Sequence, residues 1–180
     1  MLFLERSARL FLILHGVVGA AVVAATTHLV VWSWRLLRGQ KLRLRGARWL
    51  AVAAAILYVA QLALGNLLYP VYKVRVRAEY LDSPSAVADD ARTRRAHRMG
   101  AAAPEAPPPL LDRLARAFDI KEHVTALGLA LALAAAFVVR RVDEGGGGLL
   151  VFCAVGAAAC AWFGGLVGLW VASFRSVGGL

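Results

Sequence analysis

Charge is missing from four long stretches of this sequence: Leu10 to Trp34, Trp49 to Tyr72, His123 to Val139 and Gly145 to Phe174 contain no Asp, Glu, Lys or Arg. Each approaches or exceeds the roughly 17–25 residues that an α-helix needs to cross about 30 Å of hydrocarbon. The runs also lack the alternation of apolar and polar residues that strands of a membrane barrel require. Inside lipid an unpaired backbone amide costs several kcal/mol, so segments of this kind fold as helices.

Other absences narrow the chemistry. There are only two cysteines, Cys153 and Cys160. Seven residues separate them on one predicted helix, about 10 Å of rise, beyond the roughly 7 Å that a disulfide tolerates between Cα atoms. They say nothing about redox compartment, and buried Cys behaves as a small hydrophobe. No Gly-x-Ser-x-Gly elbow, phosphate-binding glycine loop or His-Glu-x-x-His zinc helix occurs, so no motif designates a catalytic residue. Gly145 to Gly148 resemble a phosphate loop in composition alone, because no Lys and Ser or Thr follow them. No acid lies inside the four charge-free stretches and no internal repeat is evident, which disfavours a secondary carrier.

What is present is apolar and basic. Of the 180 residues 60% are hydrophobic, against roughly 45–50% in soluble domains, and the mean hydropathy is +0.64. The expected fold is all-α: an integral membrane four-helix bundle forming one transmembrane domain, with spans at about 10–34, 49–70, 121–139 and 149–173 and a hydrophilic extramembrane segment at about 73–119 between helices two and three. The first span follows Arg6 and Arg9 as a secretory signal would, but its apolar core outruns the usual 7–15 residues, so it reads as a retained helix. The net charge of +10 does not call for nucleic acid. Arg35, Arg38, Lys41, Arg43, Arg45 and Arg48 form an acid-free loop between the first two spans, the pattern of a cytoplasmic loop beside anionic lipid, which places both termini opposite. Lys73, Arg75, Arg77, Arg113, Arg116 and Lys121 crowd the other side and weaken that orientation. A cell inner membrane is the expected location.

Residues 73–122 carry ten basic and eight acidic side chains. Tyr69, Pro70 and Tyr72 mark an interface at the end of span two. Lys73 to Asp82 reads as interfacial, Ser85 to Met99 as a short exposed helix capped by Ser83 and Pro84, and Ala101 to Pro109 as a Pro/Ala linker. Leu110, Leu111, Leu114 and Phe118 then form an amphipathic lead into span three.

Small residues recur every fourth position on the last span, at Gly156, Cys160, Gly164 and Gly168, with Ala157, Ala161 and Gly165 beside them. Gly16, Ala20 and Ala24 repeat the pattern on the first. Such ridges let backbones approach closely in lipid. They predict a tight bundle within the chain, or alternatively a homo-oligomer seamed through Gly156, Cys160, Gly164 and Gly168.

Polar groups at membrane depth are costly, hence functional candidates. Tyr58, Gln61, Gly65, Tyr69 and Tyr72 fall within about 80° of arc on span two. His15 and His123 lie toward the same membrane surface on spans one and three, so a b-type haem with these two axial ligands is one hypothesis. Tyr58, Gln61 and Tyr69 then line the pocket, and Lys73 or Arg75 meets the propionates. His28, thirteen residues from His15, is rotated about 220° and cannot share its face. A second hypothesis is a metal or proton site built from His15, Asp119 and His123. The plainer account has His15 bonding across helices, His28 at an interface beside Trp32, and His123 capping helix three beside Asp119 or Glu122. Two function classes follow: a non-catalytic accessory or assembly subunit bound to other membrane-protein subunits in the bilayer, or a haem b electron-transfer protein, with small metal or proton handling behind them.

Overall fold

In a computed structural model the described residues are 7–38, 44–83, 85–86, 88–89, 92–93, 111–144 and 147–174. They form four long helices. α1 is Ala8–Leu37, α2 is Leu44–Val71, α3 is Leu111–Val138 and α4 is Gly147–Phe174. α3 passes into a 3-10 turn at Val139–Glu144. All four are long and apolar enough to cross a membrane. Large apolar side chains such as Trp49, Phe152 and Leu169 stand on the outside, the arrangement lipid favours and water penalises.

Each helix packs on two neighbours, α1 on α2 and α4, and α3 on α2 and α4, so the section is a square with α1 and α3, and α2 and α4, on its diagonals. The interior is layered. At the end holding the α1–α2 loop, Leu29, Leu36, Ala47, Ala51, Ala135, Val139, Leu150, Cys153 and Ala154 form one cluster. Val22, Ala55, Tyr58, Ala132, Ala157 and Ala161 form the middle. Alanine dominates both, so the helix axes come close and dispersion between backbones replaces the hydrophobic force. Trp32 lies over Gly46, where any Cβ would collide with the indole.

The second helix runs further than Pro70 predicts. Pro70 sits inside α2, and the chain continues from Tyr72 to Leu81 as a π-helix. Proline removes the amide that would bond the carbonyl four residues earlier, and the backbone adopts wider i to i−5 bonding beyond it. The Asp82 amide donates to the Arg77 carbonyl at 2.8 Å in that pattern. This extension carries Tyr72, Val76, Tyr80 and Leu81 against Val167 and Val171 of α4, a third apolar cluster that closes the other end of the bundle. Lys73 to Leu81 and residues 111–119, within the hydrophilic segment expected over 73–119, are helical, the second of them as the amphipathic lead into span three predicts. The remainder of that connection, including the expected linker at 101–109 and much of the expected helix at 85–99, lies outside the described residues.

The small-residue ridges separate. On α4 the ridge is used inside the chain: a Cβ at Gly156 would meet Leu131 Cδ1 at 2.7 Å, one at Gly164 would lie 3.7 Å from Thr125 Oγ1, and one at Gly168 would lie 3.2 Å from Lys121 Nζ. The surface expected to serve a seam between copies is thus covered by α3. The adjacent ridge of Ala157, Ala161 and Gly165 turns toward α1, with Val23 Cγ2 3.9 Å from a Cβ at Gly165. On α1 the outcome reverses. Gly16, Ala20 and Ala24 are exposed, and a Cβ at Gly16 would meet nothing within 4 Å. Gly19, three residues on, is the glycine that α1 uses inside.

Candidate functional site

Between the middle cluster and the π-helical end lies the one level at which polar side chains from three helices enter the bundle, among the described residues. Its parts recur at a spacing of four on every helix: His15 and Gly19 on α1, Gln61 and Gly65 on α2, Lys121 and Thr125 on α3, Gly164 and Gly168 on α4. Positions four apart share a helix face. The antiparallel neighbours then interlock reciprocally. His15 covers Gly65, where a Cβ would stand 3.4 Å from its Cε1, and Gln61 covers Gly19, where a Cβ would stand 3.1 Å from its Nε2. Lys121 covers Gly168 and Thr125 covers Gly164 in the same way.

The Gln61 amide donates to His15 Nε2 at 3.0 Å. An amide nitrogen has no acceptor lone pair, so the neutral imidazole carries its proton on Nδ1. That Nδ1, together with Gln61 Oε1, is buried without a hydrogen-bond partner. The Lys121 ammonium lies 5.3 Å from the Phe118 ring centroid. Among the described residues no carboxylate pairs with it. Thr125 is satisfied locally by donating to the Lys121 carbonyl at 2.8 Å. The layer thus holds a cation together with an imidazole nitrogen and an amide oxygen, the latter two buried without a hydrogen-bond partner.

Above it, toward the π-helix, Tyr72 stacks on Phe118 with centroids 3.7 Å apart. Arg77 donates to Asp119 Oδ1 at 2.6 Å, tying α2's extension to α3. Below it Tyr58, 2% exposed, reaches across the diagonal and donates to the Ala157 carbonyl of α4 at 2.6 Å. Its ring fits over Gly128 of α3, where a Cβ would come within 2.7 Å of Tyr58 Cζ and 2.8 Å of Cys160 Cβ.

The residues singled out from the sequence part company here. Gln61 and Tyr58 face inward, as the stripe on span two predicts, and so does His15 on span one, whereas Tyr69 is 36% exposed with its ring centroid 6.5 Å from that of Tyr72. His123 is exposed, and its Nδ1–H donates to the Asp119 carbonyl at 2.9 Å. The imidazole pair of the haem hypothesis is not assembled, because His15 is engaged by α2 while His123 turns outward on the diagonal helix. The Asp119–His123 clip is likewise diverted: the ring finds the backbone oxygen one turn back, and the carboxylate is taken by Arg77. Among the described residues no three His, Cys, Asp or Glu side chains gather as a metal site would require. Arg75 pairs with Glu79 at 2.9 Å. Lys121 and Gly168 are contributions that sequence reading assigned elsewhere, and Gly19 is one it did not single out. Their signal was the matched four-residue spacing of a polar residue with a small one on facing helices. No family model, curated protein or solved structure matches this chain.

The His15–Gln61 bond gives a direct expectation. Gln61→Leu removes the donor and strands Nε2 inside the bundle, which costs about 1 kcal/mol in midpoint stability. Adding His15→Leu removes the stranded group and recovers most of that loss. Unfolding of the single and double variants in detergent, followed by tryptophan fluorescence, checks it: equal losses in both would mean the bond contributes nothing.

Proposed function

We propose that the protein is a non-catalytic accessory or assembly subunit, an integral membrane bundle that docks on another membrane protein through the outward face of α1. The observation carrying this reading is the run Gly16, Ala20, Ala24 and His28, four apart and all exposed. A glycine inside a helix costs roughly 1 kcal/mol relative to alanine, and packing among the described residues supplies no reason for one at Gly16, where a Cβ would meet nothing within 4 Å. A small-residue groove on a lipid-facing surface admits a second helix closely. His28 points the same way. Its Nδ1–H donates to the Ala24 carbonyl at 2.9 Å, so Nε2 presents an acceptor outward from a helix otherwise lined there by Ile13, Val17 and Val31. An imidazole facing hydrocarbon is expensive, and a donor on a partner helix relieves the cost.

The test is solubilisation of tagged protein from its native membrane in mild detergent. The wild-type chain is expected to migrate with a partner, well above its own 19.2 kDa. Gly16→Leu combined with Ala20→Leu fills the groove and is expected to release the chain alone, with unfolding temperature unchanged because both side chains project away from the bundle. A wild-type chain that leaves its membrane unaccompanied, or a filled groove that keeps its partner, refutes the reading.

A further inference from the structure

Tyr72–Leu81 holds for ten residues a backbone form that proteins otherwise use mostly in single turns. Pro70 accounts for one missing amide and leaves the length of the π-helix unexplained. Two side-chain periods are superimposed on the segment. Tyr72, Val76 and Tyr80 lie four apart and are buried, a spacing that α-helical bonding would also keep on one face. Arg75 and Glu79, again four apart, pair at 2.9 Å on the outside, as neighbours along an α-helix do. Tyr72, Arg77 and Asp82 lie five apart, a period that belongs to π-helical bonding. On an α-helix each of them would stand about 140° round the axis from the one before.

The spacing of five is the one that α3 reads. Tyr72 stacks on Phe118 with ring centroids 3.7 Å apart, and Arg77 donates to Oδ1 of Asp119, the next residue of α3, at 2.6 Å. Arg77 Nε also lies 3.8 Å from Asp82 Oδ2, and the Asp82 amide donates to the Arg77 carbonyl at 2.8 Å, so one guanidinium joins the last turn of the extension to α3. Overwound to an α-helix, the segment would still present Tyr72, Val76 and Tyr80 on one face and keep Arg75 beside Glu79, but it would carry Arg77 off Asp119. The apolar packing therefore accepts either form, and the ion pair accepts one. Both of its side chains are partly exposed, and a pair so placed contributes modestly and is screened by salt.

We propose that Tyr72–Leu81 is a two-register switch at this end of the bundle, π-helical while Arg77 holds Asp119 and α-helical once that pair is broken. What it controls is the attachment of α2 to α3: in the released register the guanidinium leaves α3, and the two helices stay joined there through apolar and ring contacts alone.

Isotope-labelled full-length protein in micelles tests this through nuclear Overhauser contacts between an α proton and an amide proton further along the chain, which reach the fifth residue on in a π-helix and stop at the fourth in an α-helix. The wild-type chain at low salt is expected to show five-residue contacts from position 72 to 77 and from 77 to 82. Asp119→Ala and Arg77→Met are each expected to weaken them at least ten-fold while four-residue contacts continue from 72 to 81. Should neither variant assemble, the wild-type chain in about 1 M potassium chloride carries the test, since the Debye length there is roughly 3 Å; the same loss is expected. Five-residue contacts that are missing from the wild-type chain, or that survive both substitutions, overturn the lock. Loss of the four-residue contacts together with the five-residue ones would show a segment that unravels, and overturns the second register.

Discussion

Gly128→Ala is expected to cost about 3 kcal/mol, the upper end of ordinary overpacking, and Gly128→Leu to prevent assembly of the bundle. A single methyl at this position runs into the Tyr58 hydroxyl and stands 2.7 Å from its ring carbon and 2.8 Å from Cys160 Cβ. Neither neighbour can yield cheaply. Tyr58 is held from the far side by its bond to the Ala157 carbonyl, and Cys160 Cβ moves only with the backbone of α4. The clash therefore has to separate α3 from α2 and α4 together, at the level where Ala132, Ala157 and Ala161 let the helices lie closest. Reversible unfolding in mixed micelles measures the effect. Gly148→Ala, whose new methyl meets nothing within 4 Å, is the matched control and is expected to be neutral or slightly stabilising. Similar values for the two variants would show that α2, α3 and α4 do not converge on Gly128.

Tyr58→Ala is the second large effect, expected near 4 kcal/mol. Truncating a buried aromatic forfeits its packing and leaves a cavity whose walls relax only partly. Tyr58→Phe separates the two roles of the side chain: it keeps the ring over Gly128 and loses only the hydrogen bond across the diagonal. In membrane bundles such bonds average about 0.6 kcal/mol and reach about 1.7, so a loss near 1 kcal/mol is expected. The ordering is the informative result. A phenylalanine variant as unstable as the alanine one would mean that the hydroxyl, and not the ring, holds the helices together. The two sites are also coupled. Because the hydroxyl is the atom a Gly128 methyl strikes first, Gly128→Ala is expected to cost less in the Tyr58→Phe background than alone.

How much of this was legible beforehand varies with the kind of signal. The four spans follow from uninterrupted apolar length, which lipid demands whatever the partners are, and four helices of the required length and hydropathy are present. Pro70 misled the reading of the second helix. A proline lowers the odds of α-helix, but the π-helical continuation through Leu81 depends on Tyr72, Val76 and Tyr80 finding α4 and α3 to pack on, which no local rule contains. The inward stripe of Tyr58, Gln61 and Gly65 was legible from its arc. Its partners were not. His15 takes Gln61 instead of His123 because α2 is the neighbour of α1 and α3 its diagonal, a matter of bundle order that hydropathy does not encode.

The sequence by itself determined that lipid is the solvent, that the backbone must be helical within it, and that few polar side chains accompany those helices. Only the tertiary structure decided which faces turn inward: that Gly19 and not Gly16 lies against α2, that the α4 ridge serves α3, and that Lys121 enters the bundle over Gly168 while His123 leaves it. The reason is physical. In water a helix declares its buried face by hydrophobicity, but in a membrane the surroundings and the interior are equally apolar, and the choice falls to shape and to individual polar contacts, which exist only once a particular neighbour is in place.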